Sequence, residues 1–136
     1  MGRNQLVWIT AILYLMGQCF MLWTLPDLGP ELVKLQITTS WSTFETIQGQ
    51  WSQTQWDQYR AHFAPDFIFP WLYGLFLFTW LINRTQNRPH RWRILWPLPW
   101  LACIADCIEN TLHIYLLSTP PQPELWVAVS GSLSIF

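Results

Sequence analysis

The stretch ADCIENTLHIYLL, residues 105–117, is apolar enough for a lipid-buried helix and yet carries Asp106, Glu109, Asn110 and His113. Those four follow the spacing i, i+3, i+4, i+7, which puts them on one helix face, within about a third of its circumference. An ionisable group facing hydrocarbon costs about 2.5–3.5 kcal/mol at a helix centre on the mildest scale, so this face is expected to turn into a helix bundle.

The rest of the chain calls for a bilayer as its solvent. Of 136 residues, 51% are apolar, 17% are aromatic with 11 Trp, and only 11% are charged, too few to build a soluble shell. The formal net charge of −1, with only one short arginine cluster, gives no reason to expect nucleic acid as a partner. Cys19, Cys103 and Cys107 fall in apolar segments and read as small hydrophobes rather than a disulfide framework.

Four spans are expected. The first, about 6–23, holds no charge and is bracketed by Trp8 and Trp23. A cleaved signal peptide is the competing reading, but no small-residue cleavage site follows. The second, about 67–83, has Asp66 as its expected N-cap and Pro70 in its first turn. The third, about 94–117, contains the opening stretch and starts through WPLPW. The fourth, about 125–136, is too short to cross a core about 30 Å thick at about 1.5 Å per residue, so it is expected to be incomplete as given.

Arg3 precedes the first span, and Arg84, Arg88, Arg91 and Arg93 share the loop 84–93, so five of the 7 basic residues lie on one side. The positive-inside rule makes that side cytoplasmic and places the N terminus there. The loop 25–66 and the turn 118–124 then lie outside. In the long loop, STFE (42–45) and SQTQ (52–55) fit capping boxes, which predict two short amphipathic helices carrying Phe44, Ile47, Trp51, Trp56, Tyr59 and Phe63 at the outer mouth or in the headgroup layer. The fold class is thus all-α: a polytopic membrane protein, a four-transmembrane-helix bundle with an incomplete fourth helix and short amphipathic helices in the first outer loop, all in one domain.

Counting about 1.5 Å per residue puts Asp106 and Gln18 at one depth, roughly 18 Å from the inner side, with Tyr73 close by, Asp66 near His113, and Ser130 and Ser132 arriving at a similar level. One polar layer in the outer half is expected, because buried polar groups must find partners. Its residues are Asp66, Tyr73, Asp106, Glu109, Asn110, His113 and Gln18. Asp106, Glu109 and His113 are weak candidates for a metal, since neither His-Glu-x-x-His nor twin Glu-x-x-His motifs occur. His62 and His90 read as solvated loop residues. No catalytic triad order, phosphate loop or nucleotide fingerprint is present.

APDFIFPWLYG (64–74) followed by ADCIENTL (105–112) resembles a widespread family of small uncharacterised bacterial four-span membrane proteins, with its Asp-Phe-x-Phe-Pro-x-x-Tyr-Gly and Asp-x-x-Glu-Asn motifs. The likeness runs from residue 32 onward. It implies a four-helix membrane fold in which Asp66, Phe69, Pro70, Tyr73, Gly74, Asp106, Glu109 and Asn110 are the pattern positions and His113 is not, and it implies no activity.

Three functions fit. The first is an accessory, scaffold or assembly subunit of a larger membrane complex, its polar layer fixing helix register, with a membrane protein or a second copy as partner alongside membrane lipids. The second is a binder of a lipid, quinone or tetrapyrrole in the outer half of the bundle. The third is an intramembrane acid/base or metal-dependent enzyme, or a cation or proton pathway, using Asp106, Glu109 and His113. The expected location is a bacterial inner or thylakoid-type membrane.

Overall fold

The computed structural model describes residues 2–26, 28–118 and 124–134, and every regular element among them is helical. The α-helices are α1 (Arg3–Thr24), α2 (Gly29–Gln36), α3 (Trp41–Gly49), α4 (Gln53–Asp66), α5 (Phe69–Thr85), α6 (Leu98–Ser118) and α7 (Glu124–Leu133); a 3-10 turn, His90–Leu95, precedes α6. The expected outer turn 118–124 falls almost wholly on residues outside those described.

Two stretches are long and apolar enough to cross a membrane: α1, and the run Gln53–Thr85 in which α4 leads into α5. In that run the apolar part is α5. The preceding helix α4 carries Gln53, Asp57, Gln58 and Arg60 and belongs to the cap formed by residues 25–66. The third long helix, α6, has 21 residues and bears the polar stripe, while α7 is described over 10.

These helices pack in antiparallel succession. Along α1 and α5, Asn83 Nδ2 donates to Asn4 Oδ1 at 3.0 Å, Thr10 and Thr79 hydroxyls meet at 2.9 Å, and Gly17 faces Leu72 and Phe69, so the paired numbers run in opposite directions. Between α5 and α6 the close approach is made by Gly74 against Cys103, whose thiol donates to the Pro70 carbonyl at 2.9 Å. At the other end of that pair Trp96 Nε1 donates to Thr85 Oγ1 at 2.8 Å. Tyr115 and Trp126 meet edge to face between α6 and α7.

The loop 25–66 is a folded cap of three helices, where the capping boxes predict two. Helix α2 escapes that reading because it begins at Gly29-Pro30 with no side-chain cap; Pro30 in its first turn, Glu31 early and Lys34 late suit its dipole instead. Helix α3 starts after Ser40, not Ser42: Ser42 lies inside the helix and its hydroxyl meets that of Ser40 at 2.9 Å, so the first box does not form. The second does. Gln55 N–H donates to Ser52 Oγ, and Ser52 N–H donates to Gln55 Oε1 at 2.9 Å. Ser52→Ala is expected to cost about 1 kcal/mol, visible as a lower melting temperature in detergent.

The principal hydrophobic core sits in this cap and not between the long helices. Leu28, Leu32, Leu35, Phe44, Trp51, Tyr59 and Phe63 close over Leu116 of α6 and Val127 of α7. By contrast α1 buries only Thr10 and leaves Trp8, Leu22 and Trp23 exposed at 69%, 68% and 76%.

Candidate functional site

Beneath the cap the stripe of α6 turns inward: Glu109, Asn110 and His113 are 7%, 4% and 2% exposed and Asp106 is half-buried, while Ile104, Ile108 and Ile114 on the other side of the helix are exposed. The inward face meets a second one from α4. Tyr59, His62, Phe63 and Asp66 repeat the spacing i, i+3, i+4, i+7, so the two helices present matching faces to each other.

Between them lies a cavity of about 190 Å³ lined by Gln36, Asp66, Pro70, Asp106, Glu109 and Ser134, with Phe69 and Asn110 completing the wall. Tyr73 donates its hydroxyl to Asp106 Oδ2 at 2.6 Å, and Asn110 Nδ2 donates to the Asp66 carbonyl at 3.1 Å, which ties α6 to the end of the cap. Ser134 donates to Glu109 Oε1. His113 Nδ1 meets the Tyr59 hydroxyl at 3.1 Å, and its Nε2 points at Glu109 Oε1 from 3.7 Å without a hydrogen-bond partner.

Asp66 does not cap α5; it ends α4, and the residue before α5 is Ile68, with no side-chain cap. Its carboxylate instead faces the cavity and lies 3.8 Å from His62 Nε2. His62 is not a solvated loop residue: it is buried against Phe63 and Tyr59, with Nδ1 on the Tyr59 carbonyl. Burial holds its imidazole below the ordinary histidine range, against the opposing pull of that carbonyl, so at neutral pH it brings no charge to Asp66. The spacing of 59, 62, 63 and 66 was the signal that could have found it. His90 is exposed.

Gln18 is half-buried on α1 and makes no side-chain hydrogen bond among the described residues, so it does not join the layer. The contributor at the end of α7 is Ser134, in the turn just after the helix, with its N–H on the Ser130 carbonyl. Ser130 is buried with an unpartnered hydroxyl, and Ser132 is exposed and bonded to the Ala128 carbonyl. Positions 130 and 134 share a helix face that 132 does not, so once one turns inward the other follows.

Chemically the cavity is rich in acceptors. Three carboxylates face it, and the hydroxyls of Tyr73 and Ser134 are already committed to two of them. Among the described residues no three His, Cys, Asp or Glu side chains are placed to hold a metal ion, so Asp106, Glu109 and His113 do not form a centre by themselves. The volume is below the roughly 300–1,000 Å³ of sites that enclose drug-sized molecules. No protein-family model, curated protein or solved structure matches this chain.

Proposed function

We propose that the chain is a multi-pass integral membrane protein, with α1, α5 and α6 crossing the bilayer, α7 entering it beside α6 and the N terminus on the cytoplasmic side, and that its capped cavity receives a small ligand bearing hydrogen-bond donors or positive charge. The observation that carries this reading is the convergence of Asp66, Asp106 and Glu109 with Gln36 and Asn110 on one pocket under a folded cap. Acceptors outnumber donors there, and burying unpaired acceptors is costly unless something donates to them. The exposed apolar faces of α1, α5 and α6 support the membrane part, because a soluble protein rarely leaves such contiguous area in water.

Native mass spectrometry of the full chain from a gentle detergent tests the proposal. A small adduct on the wild type that disappears in Asp106→Leu is the expected result, whereas a bare chain or an adduct indifferent to Asp106 contradicts it.

A second reading, an accessory or assembly subunit of a larger membrane complex, is favoured by one observation. Helix α1 packs along α5 and on α4, α7 packs on α6, and the outer faces of α1 are left open. A large partner travelling with the chain in the same experiment supports it.

A further inference from the structure

At the opposite end of the molecule, between the start of α1 and the end of α5, lies a larger groove of about 630 Å³. Its walls are apolar, with Val7, Ala11 and Phe76 forming the floor and Trp8 and Trp80 standing exposed at its sides. Its end is polar: the Asn4–Asn83 hydrogen bond closes it, and Arg84 sits beside them with its guanidinium over the Trp80 ring at 5.9 Å. Arg84 forms no ion pair among the described residues.

The surrounding charge has a single sign. All 8 acidic residues fall within 27–66 or 106–124, while residues 1–26 and 67–105 contain none and carry Arg3, Arg84, Arg88, Arg91 and Arg93. No carboxylate lines the groove. Along α5 the backbone order is Arg84, then Trp80 one turn further in at about 6 Å, then Phe76 a further turn in, at about 1.5 Å per residue, so the polar end leads into an apolar wall as a headgroup leads into an acyl chain in one leaflet.

We infer that this groove is a binding site for one anionic phospholipid, its phosphate on Arg84 and Asn4 and one acyl chain laid along Ala11 and Phe76 between the two tryptophans. A guanidinium meets a phosphate through two parallel N–H donors, and Asn4 keeps its own amide N–H groups free because it acts as acceptor toward Asn83. The site rests on the membrane placement of α1 and α5 and is independent of the outer cavity.

The test uses the full chain in nanodiscs of equal phosphatidylglycerol and phosphatidylcholine, released into gentle detergent and weighed by native mass spectrometry. The wild type is expected to retain phosphatidylglycerol over phosphatidylcholine by about fivefold, the factor a single interfacial arginine contributes. Arg84→Gln should remove that preference. Ala11→Phe, which fills the apolar wall and leaves every charge in place, should lower retention of both lipids, and Arg91→Gln, exposed on the 3-10 turn, should change nothing. Equal retention of the two lipids by the wild type, or the same loss in Arg84→Gln and Arg91→Gln, overturns the site in favour of diffuse surface charge. A chain that does not enter nanodiscs at all refutes the membrane reading itself.

Discussion

Gly131→Val should unseat α7 from the cap and lower the melting temperature by several degrees, whereas Gly29→Ala should leave it unchanged or slightly raised. A Cβ on Gly131 would overlap the Thr38 carbonyl oxygen, a backbone atom in the link between α2 and α3 that no rotamer change can move. Overpacking of this kind costs about 1–3 kcal/mol. The added carbon at Gly29 meets nothing within 4 Å, so the control separates steric conflict from loss of glycine as such. The same substitution reaches the cavity, because Ser134 directly follows α7 and its hydroxyl is committed to Glu109. Thermal unfolding in detergent, followed by near-ultraviolet circular dichroism, measures both variants.

Tyr59→Phe is expected to cost about 1–3 kcal/mol, more than loss of an ordinary hydrogen bond, because it leaves a buried imidazole without its partner. The Tyr59 hydroxyl is the contact of His113 Nδ1, and Nε2 on the same ring already lacks one. Replacing the ring as well should recover part of the loss. The double variant Tyr59→Phe with His113→Leu is therefore expected to be more stable than Tyr59→Phe alone, a non-additive result diagnostic of direct coupling. Strict additivity would mean that the cap and α6 do not communicate through this pair.

How far the fold could be read in advance depended on periodicity. The stripe at 106, 109, 110 and 113 is long, regular and set in an apolar helix, so its inward direction follows from the cost of the alternative. The long helices were legible for the same reason, and their observed limits differ from the expected ones only at the ends. The cap was legible in part: Ser52 with Gln55 marks α4, whereas α2 carries no side-chain cap and α3 takes the serine two positions earlier than expected.

Within the site, the misplaced residues are those whose role is set by another element. His62 looks like a polar residue in a polar helix until the face shared with Tyr59 and Asp66 is counted. Asp66 resembles an N-cap because it precedes an apolar run, yet α4 continues through Pro65 and delivers its carboxylate to the cavity. Gln18 was placed by depth alone, and depth does not fix which way a side chain on α1 turns.

The central claim is that the acidic and amide face of α6 lies inside, under the cap, while its isoleucine face meets acyl chains. Spin labels placed singly at 104, 106, 108, 109, 110, 113 and 114 in liposomes, read by collision with lipid-soluble oxygen and with a water-soluble nickel chelate, test it most directly. High oxygen accessibility is expected at 104, 108 and 114 and low accessibility to both relaxants at 109, 110 and 113, with 106 intermediate. High oxygen accessibility at 109 and 113, or strong nickel accessibility at the isoleucine positions, would contradict it.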